Sequence, residues 1–210
     1  MFSMSAPRKR VPGPRRPVGS PTGPEEVRRA VLDAAARLFA VRGVDAVSLR
    51  DIAASADVHL ALIRRYIGNR EALVHAVFED LSDKVAQAFV DNPLAGQGFG
   101  PDTVVGRWVR LAGALVIAGR LEGGAGFNPV LALAKTIEEG YGQPASAARL
   151  RAAQVVAAGL GWRLFEGYLV EAGGLPDVPL ETLRAELTRT NRRVGATPWP
   201  SPPDPEPRRR

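Results

Sequence analysis

Residues 31–73, VLDAAARLFAVRGVDAVSLRDIAASADVHLALIRRYIGNREAL, constrain this chain more than any other segment. Apolar side chains at Val31, Ala35, Leu38 and Phe39 climb one face of a helix, and the polar stretch Arg42-Gly43-Val44-Asp45 then turns the chain. Ser48, with Asp51 three residues later, has the spacing of a capping box and opens a short second helix, Leu49 to Ala56. Asp57 stands where the backbone must turn sharply, in a left-handed conformation that aspartate tolerates better than most residues. A third helix, about Leu60 to Tyr66, carries Arg64 and Arg65 at its end before Gly68-Asn69 breaks it. Three helices with one tight turn between the last two have the layout of a helix-turn-helix, with the motif at about 48–67.

The flanking sequence is helical by period as well, so the expected fold class is all-α. The first helix runs from about Glu25 to Val41, with acids in its first turn and Val27, Val31, Ala35 and Leu38 as its buried stripe. A fourth spans Arg70 to about Val90, with Leu73, Val77, Leu81 and Val85 on one face; Asn92-Pro93 ends it, and the glycine-rich stretch 96–100 is a natural boundary. Four more segments follow: Asp102 or Thr103 to about Leu121, Pro129 to Glu139, Pro144 to near Ala172, and Pro179 to about Arg193. Expected domains are a helix-turn-helix domain over 24–91 and a helical bundle over 101–195. Prolines crowd both ends, from Pro7 to Pro24 and from Pro198 to Pro207, and predict disordered, non-helical extensions over 1–23 and 196–210.

The net charge of +6 is misleading until it is divided. Residues 1–23 hold five cations and no acid, and residues 203–210 hold three cations and two acids. The remainder carries 20 basic and 20 acidic groups, so a general basic surface is no argument for a nucleic-acid partner. The electrostatic case rests on the N-terminal tail and on Arg64, Arg65 and Arg70. With no cysteine there is neither a disulfide framework nor thiol chemistry, and with two histidines, His59 and His75, a metal site is not expected. No apolar run approaches the roughly 18 to 20 residues of a membrane helix, and the expected location is cytoplasmic. No carboxylate pair stands with a base, so an enzyme has little support, and no cofactor is called for.

The recognition helix of such a motif meets base edges with its first residues, here His59 and Leu60. Arg64 and Arg65 read either as a solvated helix end or as donors to phosphate and to guanine O6/N7. Tyr66 either faces the core or reaches a phosphate. Ser48 is a helix cap, a phosphate donor, or both, while Arg50 and Arg70 read as backbone contacts. In the second half, Trp108, Phe127, Trp162 and Phe165 are either plain core or the lining of an effector pocket, with Arg107, Arg110, Arg163 and Glu166 at helical spacing from them. The small-residue run from Ala145 to Gly161 permits close approach of another helix, which offsets the low helix propensity of its glycines.

Residues 25–73 resemble the DNA-binding domain of TetR-type transcriptional regulators. Ala34-Ala35, Leu38-Phe39, Gly43, Ser48, Ile52-Ala53, Ala56, Val58, Ile63, Tyr66, Arg70-Glu71 and Leu73 keep both spacing and chemistry over some forty residues. The resemblance implies an all-helical homodimer, joined by a two-fold four-helix interface of the 145–161 run with Leu180, Leu183 and Leu187, whose small N-terminal domain binds half of a palindromic double-stranded operator. Its C-terminal domain would bind a small-molecule effector that releases a repressor from DNA. An effector-independent dimer remains the alternative. This chain departs from the pattern at Asp57, where the family usually has glycine, and at His59, where serine or threonine usually caps the helix. It departs again at Arg64-Arg65-Tyr66-Ile67, which replaces a common Tyr-x-His-Phe run.

Overall fold

A computed structural model describes residues 21–91, 102–121 and 126–198 of the chain. Among the described residues the secondary structure is helical: α1 (Gly23–Arg42), α2 (Leu49–Ser55), α3 (Leu60–Tyr66), α4 (Arg70–Asp91), α5 (Val104–Ile117), α6 (Pro129–Tyr141), α7 (Ala145–Ala172) and α8 (Leu180–Ala196). None is long and apolar enough to cross a membrane. The Asn92-Pro93 and 96–100 breaks, and most of both proline-rich extensions, lie outside the described residues.

Helix ends follow their local chemistry. Pro24, expected outside any helix, sits in the first turn of α1, where its missing N–H is no loss, and Thr22 donates its backbone N–H to the Glu26 carboxylate at 2.9 Å. Thr103 caps α5 by accepting from the Gly106 N–H at 3.0 Å. That helix stops at Ile117 rather than near Leu121, because Gly119 turns left-handed at φ +64° and the Arg120 N–H closes back on the Leu115 carbonyl. Helix α8 runs three residues beyond the expected Arg193, to Ala196. Its final carbonyls have partners: Gln143 Nε2 donates to Gly195 and Thr197, and Arg151 donates to Thr197 and Pro198.

One hydrophobic core runs from α1 through α5. Val27, Val31, Ala35, Phe39, Ile52, Ile63, Leu73, Val77 and Leu81 pack with Trp108, Val109, Leu111 and Leu115. In α1 the buried aromatic is Phe39, while Leu38 is only partly covered, because that turn of the helix leans on α4 and α5. A second, smaller core joins α6 to α7 through Leu133, Ala134, Ile137, Ala148 and Ala152. Helix α8 is stitched to α7 by Glu166, which accepts from Arg184 Nε at 2.8 Å, from Arg184 Nη2 at 2.6 Å and from Trp162 Nε1 at 2.8 Å. These donors, Arg184 first, hold the Glu166 carboxyl below its ordinary value of 4.5.

Two contacts converge on Ser82 of α4. Trp108 Nε1 donates to Ser82 Oγ at 2.9 Å, and both residues are buried. Gly126, at φ +70°, lies against the same hydroxyl, so that a Cβ there would stand 2.6 Å from Ser82 Oγ and 2.9 Å from the Phe78 ring. Gly126→Ala therefore meets both a strained backbone and a filled space, and urea unfolding should show a loss of about 2 kcal/mol or more. Because Glu166 ionises more readily folded than unfolded, its contribution is complete above about pH 4.5 and fades as pH falls through the lowered folded value. Glu166→Gln should consequently lose stability at pH 7 and lose less between pH 5 and pH 3 than the parent, as measured by thermal melts.

Candidate nucleic-acid interface

Three short connections and one buried isoleucine set the position of α3. Ser48 Oγ accepts from the Asp51 N–H at 3.2 Å, while Asp51 Oδ2 accepts from the Ser48 N–H at 2.8 Å, so the expected capping box is formed. The Ser48 hydroxyl also donates to Asp51 at 2.5 Å, and these Ser48 bonds lower the Asp51 pKa. At the other end of α2, Asp57 is left-handed at φ 52°, and the Val58 N–H returns to the Ala53 carbonyl at 3.0 Å. That is the closure glycine usually makes, here with an aspartate at a cost of roughly 1 kcal/mol. His59 precedes α3 without a side-chain cap, as its chemistry suggests.

Helix α3 presents two different faces. Ile63 is fully buried, and Leu60, Leu62 and Tyr66 lean on the same core. His59, Ala61, Arg64 and Arg65 are exposed. Leu60 thus has a packing role of its own and does not stand bare on a polar surface. The Arg65 guanidinium lies 5.5 Å from the centre of the Tyr66 ring, a cation–π contact that steadies both at the surface. Beyond α3, Gly68 at φ +114° ends the helix, and Asn69 Oδ1 accepts from the Ala72 N–H at 2.9 Å to start α4.

Arg70, expected to meet a phosphate, is placed otherwise. Its guanidinium reaches back across the motif and donates to the Val44 and Val47 carbonyls in the α1–α2 loop. Ser48, Arg50, His59, Arg64 and Arg65 are each exposed. One signal set Arg70 apart, its place at the first turn of a helix, where the dipole disfavours a cation; its partner carbonyls, 23 and 26 residues away, gave none.

The four aromatic residues that read as either core or pocket lining fall into more than one place. Trp108 and Phe127 meet edge to face, 6.2 Å between centres, in a row that continues to Phe78 and Phe89. Trp162 is held by Glu166, and Phe165 is 56% exposed on α7. Among the neighbouring charges, Arg110 donates to the Ala40 carbonyl at 3.1 Å, and Arg163, whose pKa burial lowers, donates to Gly159 at 3.3 Å. The Ser82–Trp108 bond, the Arg184 clamp and the Arg110 contact have no motif spacing, and sequence reasoning missed them.

The sequence profile of bacterial regulatory proteins of the tetR family matches residues 31–77. Over 180 residues, covering 83% of this chain and 92% of the relative, the chain is 32% identical to the HTH-type transcriptional repressor Rv3405c of Mycobacterium tuberculosis. The same values hold for the HTH-type transcriptional regulator Mb3439c of Mycobacterium bovis. The chain belongs to the tetR family. Among solved structures it is similar to the multidrug binding protein EbrR complexed with imidazole, with 19% identity and a TM-score of 0.48 over 84% of this chain and 98% of that one. A tetR-family regulator from Shewanella sp. PV-4 gives 16% identity and a TM-score of 0.46, with coverage of 80% and 95%.

Within the tetR-family pattern, the matched positions Ala34, Ala35, Phe39, Ile52, Ala53, Ile63 and Leu73 are the buried ones, and the departures at His59, Arg64 and Arg65 are exposed. Core and surface are therefore separable by mutation. Ile63→Ala should cost about 2–5 kcal/mol in chemical denaturation, whereas Arg64→Ala should stay within about 0.5 kcal/mol of the parent.

Proposed function

We propose that this tetR-family regulator is a sequence-specific repressor that binds a palindromic double-stranded operator as a homodimer and is released by a small-molecule effector. The observation that carries the reading is the division of α3: Ile63 is sealed in the core while Arg64 and Arg65 stand at the surface. Exposed Ser48, Arg50 and His59 add further donors to the motif, as suits a groove whose walls are phosphates and whose floor is base edges. In this reading Arg64 and Arg65 bond phosphate or guanine O6/N7, Tyr66 supports Arg65 from beneath, and Arg50 and Ser48 meet the backbone. His59 and Leu60 lie nearest the bases. Arg70 acts indirectly, by bracing the loop before Ser48.

Homodimerisation is supported by the outer surface of α7. Leu164, Phe165, Tyr168 and Leu169 are exposed there, with Leu180 at the start of α8. Apolar side chains collected on one helix of a single subunit are better covered by a second copy than left in water. The effector reading places a small molecule in the second half, near Trp108 and Phe127 or near Trp162, with Phe165 closer to the partner. The name of the mycobacterial relative, a repressor, favours repression over activation.

Selection from a random duplex pool by the purified chain tests this reading. It should return a palindrome, with two half-sites about one helical turn apart and a dimer in solution. A pool that returns no shared sequence would reject it. Against the selected duplex, Arg64→Ala and Arg65→Ala should each weaken binding and make the slope of log K against log salt shallower by about 0.9 for each phosphate contact removed. Thermal melts with a chemical library address the effector, which must raise stability by mass action if it binds the folded chain.

A further inference from the structure

The last turn of α1 and the loop that follows it are each held by an arginine from elsewhere in the chain, Arg110 on the helix and Arg70 on the loop. A helix leaves its last carbonyls without intrahelical donors, and the loop that follows adds more. In this chain Gly43 N–H covers the Phe39 carbonyl, Arg110 of α5 covers Ala40, and Arg70 of α4 covers Val44 and Val47. The Arg110 bond is partly buried, and its cation lies at the negative end of the α1 dipole. Where α5 ends, the left-handed turn at Gly119 brings Arg120 Nη1 to 3.8 Å from Asp45, an exposed pair of little weight on its own. Val47 leads directly into Ser48, the cap of α2.

On its other side, α5 meets α7. Gly113, one helical turn beyond Arg110, faces the Leu164 side chain, where a Cβ would meet Cδ1 at 3.4 Å, an ordinary van der Waals contact. Leu164 belongs to the exposed apolar surface of α7. Contact is therefore continuous from that surface, through Gly113 and Arg110 on one helix, to the last turn of α1 and the loop before Ser48.

We propose that Arg110 is a positioning residue through which α5 sets the α1–α2 loop, and with it the reading helices, so that the state of α7 is transmitted to the DNA-facing side. This rests on the DNA-binding reading above, but part of its test needs no DNA. Hydrogen exchange on the full chain should show the amides of residues 47–52 exchanging faster in Arg110→Ala, with those of α6 and α7 unchanged. Arg110→Lys, which keeps a donor for Ala40, should restore them. Affinity for the selected duplex should fall about tenfold in Arg110→Ala and recover in the lysine variant, while affinity for an unrelated duplex holds. Leu164→Ala should produce a similar local change in the parent and little further change beside Arg110→Ala. Uniform or absent exchange changes, no rescue by lysine, or additive effects of the two alanines would overturn the proposal. Should Arg110→Ala fail to fold, the lysine and Leu164→Ala variants decide by the same exchange readout. If the parent selects no duplex, the DNA reading fails, and the exchange result still decides whether Arg110 sets the loop.

Discussion

A seven-residue helix cannot hold itself together in water, since the cost of nucleating it exceeds what so few hydrogen bonds return. Helix α3 exists because Ile63 is driven into a core built by α1, α2 and α4. That single burial also fixes its rotation. With Ile63 inward and Leu60, Leu62 and Tyr66 leaning beside it, a period of 3.6 residues leaves Ala61, Arg64 and Arg65 outside. The direction of the guanidinium groups is thus a consequence of apolar packing.

Backbone geometry completes what packing begins. Between α2 and α3 the chain must reverse within a few residues, and it does so at the expense of a left-handed aspartate. At the end of α1 and in the loop to α2, the part-buried carbonyls of Ala40, Val44 and Val47 accept from arginines. One of those arginines comes from the second half of the chain. The core likewise passes without interruption into α5, so the helix-turn-helix and the bundle share both packing and hydrogen bonds. A regulator requires this kind of continuity, because a ligand can shift an equilibrium only through contacts that differ between two states.

The motif was legible in the sequence because its signals are local. The Ser48–Asp51 box, the turn at Asp57, the bounds of α3 and the weak cap at His59 each depend on residues within a few positions of one another, and each is present as expected. Long-range polar contacts were not legible. Arg70 lies 23 and 26 residues from the carbonyls it serves, and Arg110 lies 70 from Ala40. Nothing in spacing announces such a pairing. The tryptophans of the second half divide the same way: Trp162 meets Glu166 one helical turn on, at a spacing the sequence shows, whereas Trp108 meets Ser82, 26 residues back, which only tertiary packing reveals. Helix ends were missed where a glycine turn or a distant side chain set them, at Gly119 and at Gln143.

The central claim, that packing of Ile63 turns two guanidinium groups toward a duplex, can be examined by observing those groups. Arginine Nε–Hε signals of the labelled protein, followed by NMR during titration with a selected duplex, report each side chain separately. The account predicts that Arg64 and Arg65 shift and become protected from solvent exchange as the duplex is added, while Arg184, clamped to Glu166, stays in place. Signals of Arg64 and Arg65 that remain unchanged through saturation would contradict it.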